Sequence, residues 1–392
     1  MAPRIRYERL PTEAANRASR ALDRLSSLEI ARLMNREDRR AVAAVGRVTR
    51  SIARAVDLIV DALGAGGRLI FVGAGTSGRL GVLEAAECPP TFNTRPGLVQ
   101  AVMAGGRASV FRSREGAEDD TRDAVRRLRA RARAGDVVVG VSASGVTPFV
   151  RAALRAARAR GCRTVLVACD PSGALRRLAD VVITPATGPE VLAGSTRLKA
   201  GTATKLVLNT LTTASMARVG KVYGNRMIDL QPRSRKLLVR AALRAARARG
   251  CRTVLVACDP SGALRRLADV VITPATGPEV LAGSTRLKAG TATKLVLNTL
   301  TTASMARVGK VYGNRMIDLQ PRSRKLRARA ARLVAEIAGV PRARATVALV
   351  QAHGRARLAI VMARHGVGRG AAARLLQRCG GDLRAALRTS SD

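Results

Sequence analysis

The sequence predicts an α/β protein: a doubly wound parallel sheet in a flavodoxin-like, three-layer αβα arrangement, with N-terminal helices and a small C-terminal helical domain. Three observations predict it. Short β-branched runs alternate with amphipathic helical stretches along the middle of the chain. Two of those runs end in turns rich in glycine and hydroxyl residues, Gly73-Ala-Gly-Thr-Ser-Gly78 and Ser142-Ala-Ser-Gly145. An 88-residue segment, Val150 to Leu237, recurs without one change as Val239 to Leu326, at an offset of 89. At 392 residues, 47% of them hydrophobic, the chain is long enough for one large or two ordinary domains with packed cores.

From Thr12 to about Leu63, apolar positions recur at helical spacing, with Asp and Ser near helix starts, so residues 1–63 form an N-terminal helical region. Arg68 to Val72 is a short apolar strand that runs into the glycine-rich turn and then a helix. Leu98 to Met103 makes a second strand, Glu115 to Ala132 an Arg-rich helix, and Asp136 to Val141 a third strand. Thr164 to Ala168 and Asp180 to Thr184 continue the sheet, and Ser195 to Val219 reads as a helix. Residues 64–237 are thus the sheet domain, 238–326 a tandem duplicate of 149–237, and 327–392 a C-terminal helical domain with a Gly380-Gly381 turn.

Solenoid repeats keep a pattern and vary their surfaces, whereas this repeat varies nothing, so it reads as a recent duplication or an error in the assembled gene. Taking one 89-residue unit from 392 leaves 303 residues, the chain expected to carry the function. Both copies compete for the same sheet positions beside Asp136 to Val141. The first is expected to win, because the second must close a much longer loop at a penalty of about 1 to 2 kcal/mol. The second copy is expected to form an appendage with a poorly covered apolar edge.

The net charge of +43 would suit a nucleic-acid binder. Yet Arg supplies 62 of the 70 basic residues and is scattered among Ala along helical stretches, and aromatics, the stacking platforms for single strands, are 2%. No specific nucleic-acid partner is expected. Met1 to Arg20 has no apolar signal region and no stretch approaches the roughly 20 apolar residues of a membrane span, so a cytoplasmic protein without membrane contact is expected. The six cysteines form no C-x-x-C pair, which disfavours a zinc ribbon or a disulfide framework. The two histidines, His353 and His365, lie in the tail, so no metal site is expected.

The first turn matches a dinucleotide fingerprint formally, but the confirming acidic residue after the next strand is absent, and no cofactor is expected. Hydroxyls distinguish both turns. Gly75, Thr76, Ser77 and Gly78 after one strand, with Ser142, Ser144, Gly145 and Thr147 after another, converge where strand carboxyl ends of a parallel sheet line one crevice, and hold a phosphate there. The bland alternative is that they only cap helices. Among the 27 acidic residues, Glu115, Glu118, Asp119, Asp120 and Asp123 crowd one helix start, where acids offset the macrodipole. Glu87 instead precedes a Pro-Pro segment away from any helix start. Two carboxylates across a sugar can serve as general acid and base. All eight lysines fall inside the repeated segments; Lys199 is the candidate for a substrate-facing ammonium, against the alternative of a surface helix lysine.

The runs Gly73 to Gly81, Glu87-Cys-Pro-Pro-Thr91, Glu115-Gly-Ala-Glu-Asp119, Ser142 to Pro148 and Gly194 to Thr202, in this order, closely resemble the N-acetylmuramic acid 6-phosphate etherase family, whose core is a sugar isomerase (SIS) domain. The resemblance spans nearly the whole chain minus one repeat unit. It implies a lyase of amino sugar catabolism and peptidoglycan recycling, working without metal or redox cofactor as a homodimer on a small sugar phosphate. By motif position, Glu87 matches the family's proton donor and Glu118 its second catalytic carboxylate. Val146 stands where Arg is usual and Phe149 where Tyr is usual. The related glucokinase regulatory protein leaves a second reading, a sugar-phosphate sensor without turnover, which intact Glu87 and Glu118 argue against.

Overall fold

The computed structural model describes residues 10–227, 238–319, 321 and 323–389. The first nine residues and the 228–237 stretch that ends at the 237/238 copy boundary lie outside these. The N-terminal region opens with short 3-10 turns, and two long helices follow, α1 (Ser27–Gly46) and α2 (Thr49–Gly64). Ser26 starts α1 with a capping box: its hydroxyl accepts from the Glu29 amide while the Glu29 carboxylate accepts from the Ser26 amide.

The sheet then builds as β1 (Leu69–Gly73), α3 (Gly75–Phe92), β2 (Val99–Met103), the short α4 (Ala108–Phe111), α5 (Thr121–Arg129), β3 (Val137–Val141), α6 (Pro148–Arg158), β4 (Arg163–Val167) and β5 (Val181–Ile183). Its five strands are all parallel in the order β2-β1-β3-β4-β5. This is the doubly wound arrangement the alternation predicts, with its topological reversal between β1 and β3. Every residue of β1 and β3 is buried, as both-face coverage requires. One face packs on α2, α3 and α7 (Lys199–Arg218) through Ile59, Phe92, Val207 and Leu211; the other packs on α5 and α6 through Leu128, Val150 and Leu154.

Copy one completes the sheet: Val165 pairs with Val139, and β5 follows beside β4. After the hairpin β6 (Val222–Tyr223) and β7 (Arg226–Met227), copy two repeats the elements as α8 (Leu238–Ala248), β8 (Val254–Val256), β9 (Val270–Ile272) and α9 (Lys288–Arg307). Its β8 and β9 pair only with each other, leaving Val254 50% and Val270 47% exposed. A second hairpin, β10 (Val311–Tyr312) with β11 (Arg315–Met316), leads into α10 (Arg324–Ala338), α11 (Arg342–Gln351), α12 (Ala356–His365), α13 (Arg369–Arg378) and α14 (Leu383–Ala386), which close on their own apolar core.

Two local expectations are corrected. The helix predicted from Glu115 begins at Thr121, because the Asp120 carboxylate caps it by accepting from the Asp123 amide; Glu118 sits in the preceding 3-10 turn. Glu87, read only as preceding a Pro-Pro segment, is a helical residue, because Pro89 and Pro90 lie inside the last turn of α3.

Candidate active site

The site grows from the reversal between β1 and β3, whose last residues Gly73 and Val141 are register partners. After β1 the chain turns directly into α3. A Cβ on Gly73 would lie 2.7 Å from the Gly78 nitrogen, and one on Gly78 would lie 2.7 Å from the Gly73 oxygen, so only glycines let strand and helix approach this closely. The free amides of the first α3 turn, around Gly75 to Ser77, therefore open at the strand end, where a helix N-terminus favours an anion. The turn after β3 works differently. α6 begins with Pro148, which has no N–H, and the Thr147 amide donates to Ser142 Oγ, so this helix start offers two amides fewer and adds hydroxyls. Ser142 Oγ and Thr147 Oγ1 are 2.8 Å apart, which fixes the Thr147 rotamer.

Two adjoining cavities fill the space between the turns. A cavity of about 210 Å³ is lined by Gly75, Arg79, Ser109, Glu118, Lys325 and Arg329. A smaller one of about 60 Å³ is lined by Ser77, Glu118, Ser144, Thr147, Thr196 and Lys325. Glu118, Thr196 and Lys325 border both and join them into one cleft. The cations come from α10, which spans the junction of copy two and the tail. Glu13, 2% exposed, holds Lys325 at 3.0 Å and Arg329 at 2.6 Å, and these partners pull its carboxyl down to about 2 against the opposing effect of burial. A larger cavity of about 830 Å³ lies among the C-terminal elements, but the acid on its wall, Asp318, is tied to Lys310 and Arg357.

Gly75, Ser77, Ser144, Thr147 and Glu118 thus line the cleft. Thr76 lies close to Gly201 of α7, Gly78 provides the close approach, Ser142 orients Thr147, and Gly145 sits at φ +63° against Gly173. Lys199 is neither substrate-facing nor a surface lysine. It is 1% exposed, with Nζ 2.6 Å from Glu37, and its amide donates to Glu190; a charge that deeply buried needs such a partner. Glu87 lines neither cavity. It lies ten residues beyond Ser77 along α3, roughly 15 Å at the helical rise. There its Oε2 has no hydrogen-bond partner, and burial, then the neighbouring Glu84, raises its proton affinity above the ordinary carboxylate range.

Residues 51–158 match the family model of the glucokinase regulatory protein N-terminal SIS domain, and residues 119–214 match that of the SIS domain. An N-acetylmuramic acid 6-phosphate etherase from Symbiobacterium thermophilum is 53% identical over 246 residues, 63% of this chain and 82% of the relative. One from Escherichia coli is 47% identical over 261 residues, 65% of this chain and 88% of the relative. The chain belongs to the N-acetylmuramic acid 6-phosphate etherase family. A phosphoheptose isomerase from Neisseria gonorrhoeae aligns at TM-score 0.39 and 21% identity, over 48% of this chain and 97% of that one. Against the etherase family's motifs, Lys325 and Arg329 are what sequence reasoning missed. Lys325 belonged to the set of eight lysines that stood out from the Arg-rich background, but nothing local marked it over Lys199.

Proposed function

We propose that the cleft binds N-acetylmuramic acid 6-phosphate and performs the reaction of its family, a lyase cleavage of the D-lactyl ether at C3 that gives N-acetylglucosamine 6-phosphate and D-lactate. The observation that carries this is the junction of α3's first-turn amides, the hydroxyls of Ser77, Ser144 and Thr147, the cations Lys325 and Arg329, and the carboxylate of Glu118, the one acid that borders both cavities, with Glu115 lining one and Asp119 the other. Amides, hydroxyls and cations suit the phosphate and the lactyl carboxylate. With the sugar ring open, its aldehyde acidifies the C2 hydrogen. Glu118 takes that proton, the C3–oxygen bond breaks as a proton reaches the departing lactyl oxygen, and water then adds to the unsaturated aldehyde. Glu87, half-buried and with raised proton affinity, has the chemistry of the donor but lies outside the cleft of its own chain.

The same reading places the enzyme in the cytoplasm, in amino sugar catabolism and peptidoglycan recycling, and gives a homodimer for a chain with one copy of the repeated segment. Among the described residues no helix is long and apolar enough to cross a membrane. The test is D-lactate release from N-acetylmuramic acid 6-phosphate by the chain and by its form lacking 238–326. Release by either supports the reading; binding without release by both would favour a sugar-phosphate sensor instead.

A further inference from the structure

The two copies touch each other through contacts that repeat with their partners exchanged. Arg197 of copy one donates to Thr301 at 3.3 Å and Thr302 at 3.0 Å of copy two. Its equivalent Arg286 donates to Thr212 and Thr213, the equivalents of those threonines, at 3.1 and 2.9 Å. Lys205 Nζ donates to the Arg286 carbonyl and to Thr291; Lys294 Nζ donates to the Arg197 carbonyl and to Thr202. The Ala193 amide donates to the Asn314 carbonyl at 2.9 Å, and the Ala282 amide to the Asn225 carbonyl at 2.8 Å. In each set the 89-residue offset maps one contact onto the other. Residue i on j together with j on i is the signature of an isologous, two-fold interface, which ordinarily joins two subunits.

The same operation locates the cleft of the missing subunit. Thr196 borders the cleft, and its counterpart in copy two, Thr285, adjoins Arg286, whose guanidinium lies 2.8 Å from Glu84 and attracts the neighbouring Glu87 carboxylate. A whole subunit in the place of copy two would thus present its cleft to Glu87. Conversely, the tail that enters this chain's cleft with Lys325 and Arg329 is continuous with copy two, the pseudo-mate, across Asn314. Copy two begins after the Gly-Thr-Ser-Gly turn and after Glu87, so it carries neither.

We propose that copy two stands in for a second subunit of the same chain, covering its two-fold face and supplying the cleft with Lys325 and Arg329 but not with the mate's Glu87. A single-copy chain pairs across this face instead, each subunit lending Glu87 and the start of its tail to the other's cleft. The pairing rests on the reciprocal contacts alone; the part given to Glu87 rests on the etherase reading.

Sedimentation of the full chain tests the pairing without reference to activity. It is expected to run as a 41.3 kDa monomer, with hydrogen-exchange protection of α7 and α9 that does not change on dilution. A dimer, or protection of α9 that is lost on dilution, overturns the proposal. The form lacking 238–326 is expected to sedimentate as a dimer, and a folded monomer overturns the proposal equally. In that form, mixing Glu87→Gln with Glu118→Gln chains is expected to restore lactate release to about a quarter of the unsubstituted rate, since one site in half of such pairs is intact. No recovery on mixing, with both variants paired, overturns the exchange of Glu87 while leaving the etherase reading standing.

Discussion

Copy one and copy two have the same sequence over 88 residues and meet different fates. Both form a helix of identical bounds at their ends, α7 and α9, and both pair their two short strands in parallel. Yet fourteen residues of α7 are buried against three of those described in α9, and Val165 is fully buried where Val254 is half exposed. Local structure follows from the sequence alone, whereas burial follows from what the sheet edge still offers once copy one has taken it. The energetic consequences must then differ at equivalent positions.

The largest contrast is expected for an apolar-to-charged change. Val165→Asp places an unpaired carboxylate beside Val139 and Val181 in the sheet and should lower stability by more than about 4 kcal/mol. Val254→Asp should stay within about 0.5 kcal/mol. Urea unfolding of the two variants measures both, and equal losses would mean that copy two packs as tightly as copy one.

Next come the equivalent lysines. Lys199→Ala strips buried Glu37 of its buried cation and leaves it only the largely exposed Arg40 at 3.0 Å, a loss of about 3 kcal/mol; Lys288, the exposed counterpart, should lose about 0.5 kcal/mol or less on the same change. Thermal unfolding of the pair separates them, and similar midpoints would contradict the buried ion pair.

Where the tail meets the N-terminus, the comparison is sharpened by pH. Glu13 has its carboxyl lowered from 4.5 to about 2 by Arg329 and Lys325. A folded value below the unfolded one contributes stability that is present above about pH 4.5 and lost as pH falls through about 2, here about 3 kcal/mol. Glu13→Gln should remove this acid limb and weaken the tail's hold at neutral pH. An unchanged stability profile between pH 5 and 2 would show that the clasp does not hold the tail.

The smallest effects concern thiols. Cys162 and Cys169 are buried, and burial pushes the Cys169 thiol up to about 12, while Cys251 is exposed. A thiol reagent should label Cys251 quickly and leave Cys162 and Cys169 unreacted in the folded chain. Mass mapping that finds Cys162 labelled at the same rate would contradict the assignment of copy one to the sheet.

The sheet was legible because strand periodicity, glycine turns and strand-to-helix alternation are local signals, and the place of copy one followed from loop length. Ser77, Ser144 and Thr147 were legible as neighbours because strand ends of one sheet must meet, whereas Glu118, in a 3-10 turn, was singled out only by its place in a family motif. Lys325 and Arg329 were not, since they reach the cleft from more than 180 residues beyond Ser144 and only the Glu13 clasp puts them there. Lys199 misled for the converse reason: a conspicuous cation marked a buried partner, Glu37, that lies 162 residues away and leaves no local trace. Glu87 was read beside Glu118 because both are acids in recognisable motifs, but a helix rise of roughly 15 Å from Ser77 separates it from the cleft of its own chain.

The most direct measurement is D-lactate release from N-acetylmuramic acid 6-phosphate by the form lacking 238–326, with and without Glu118→Gln. Removal of the Glu118 carboxylate should lower the rate on the order of 10² to 10⁴-fold while substrate still binds. Rates within a factor of about two of each other, well inside the span of a positioned acid or base, would contradict the account.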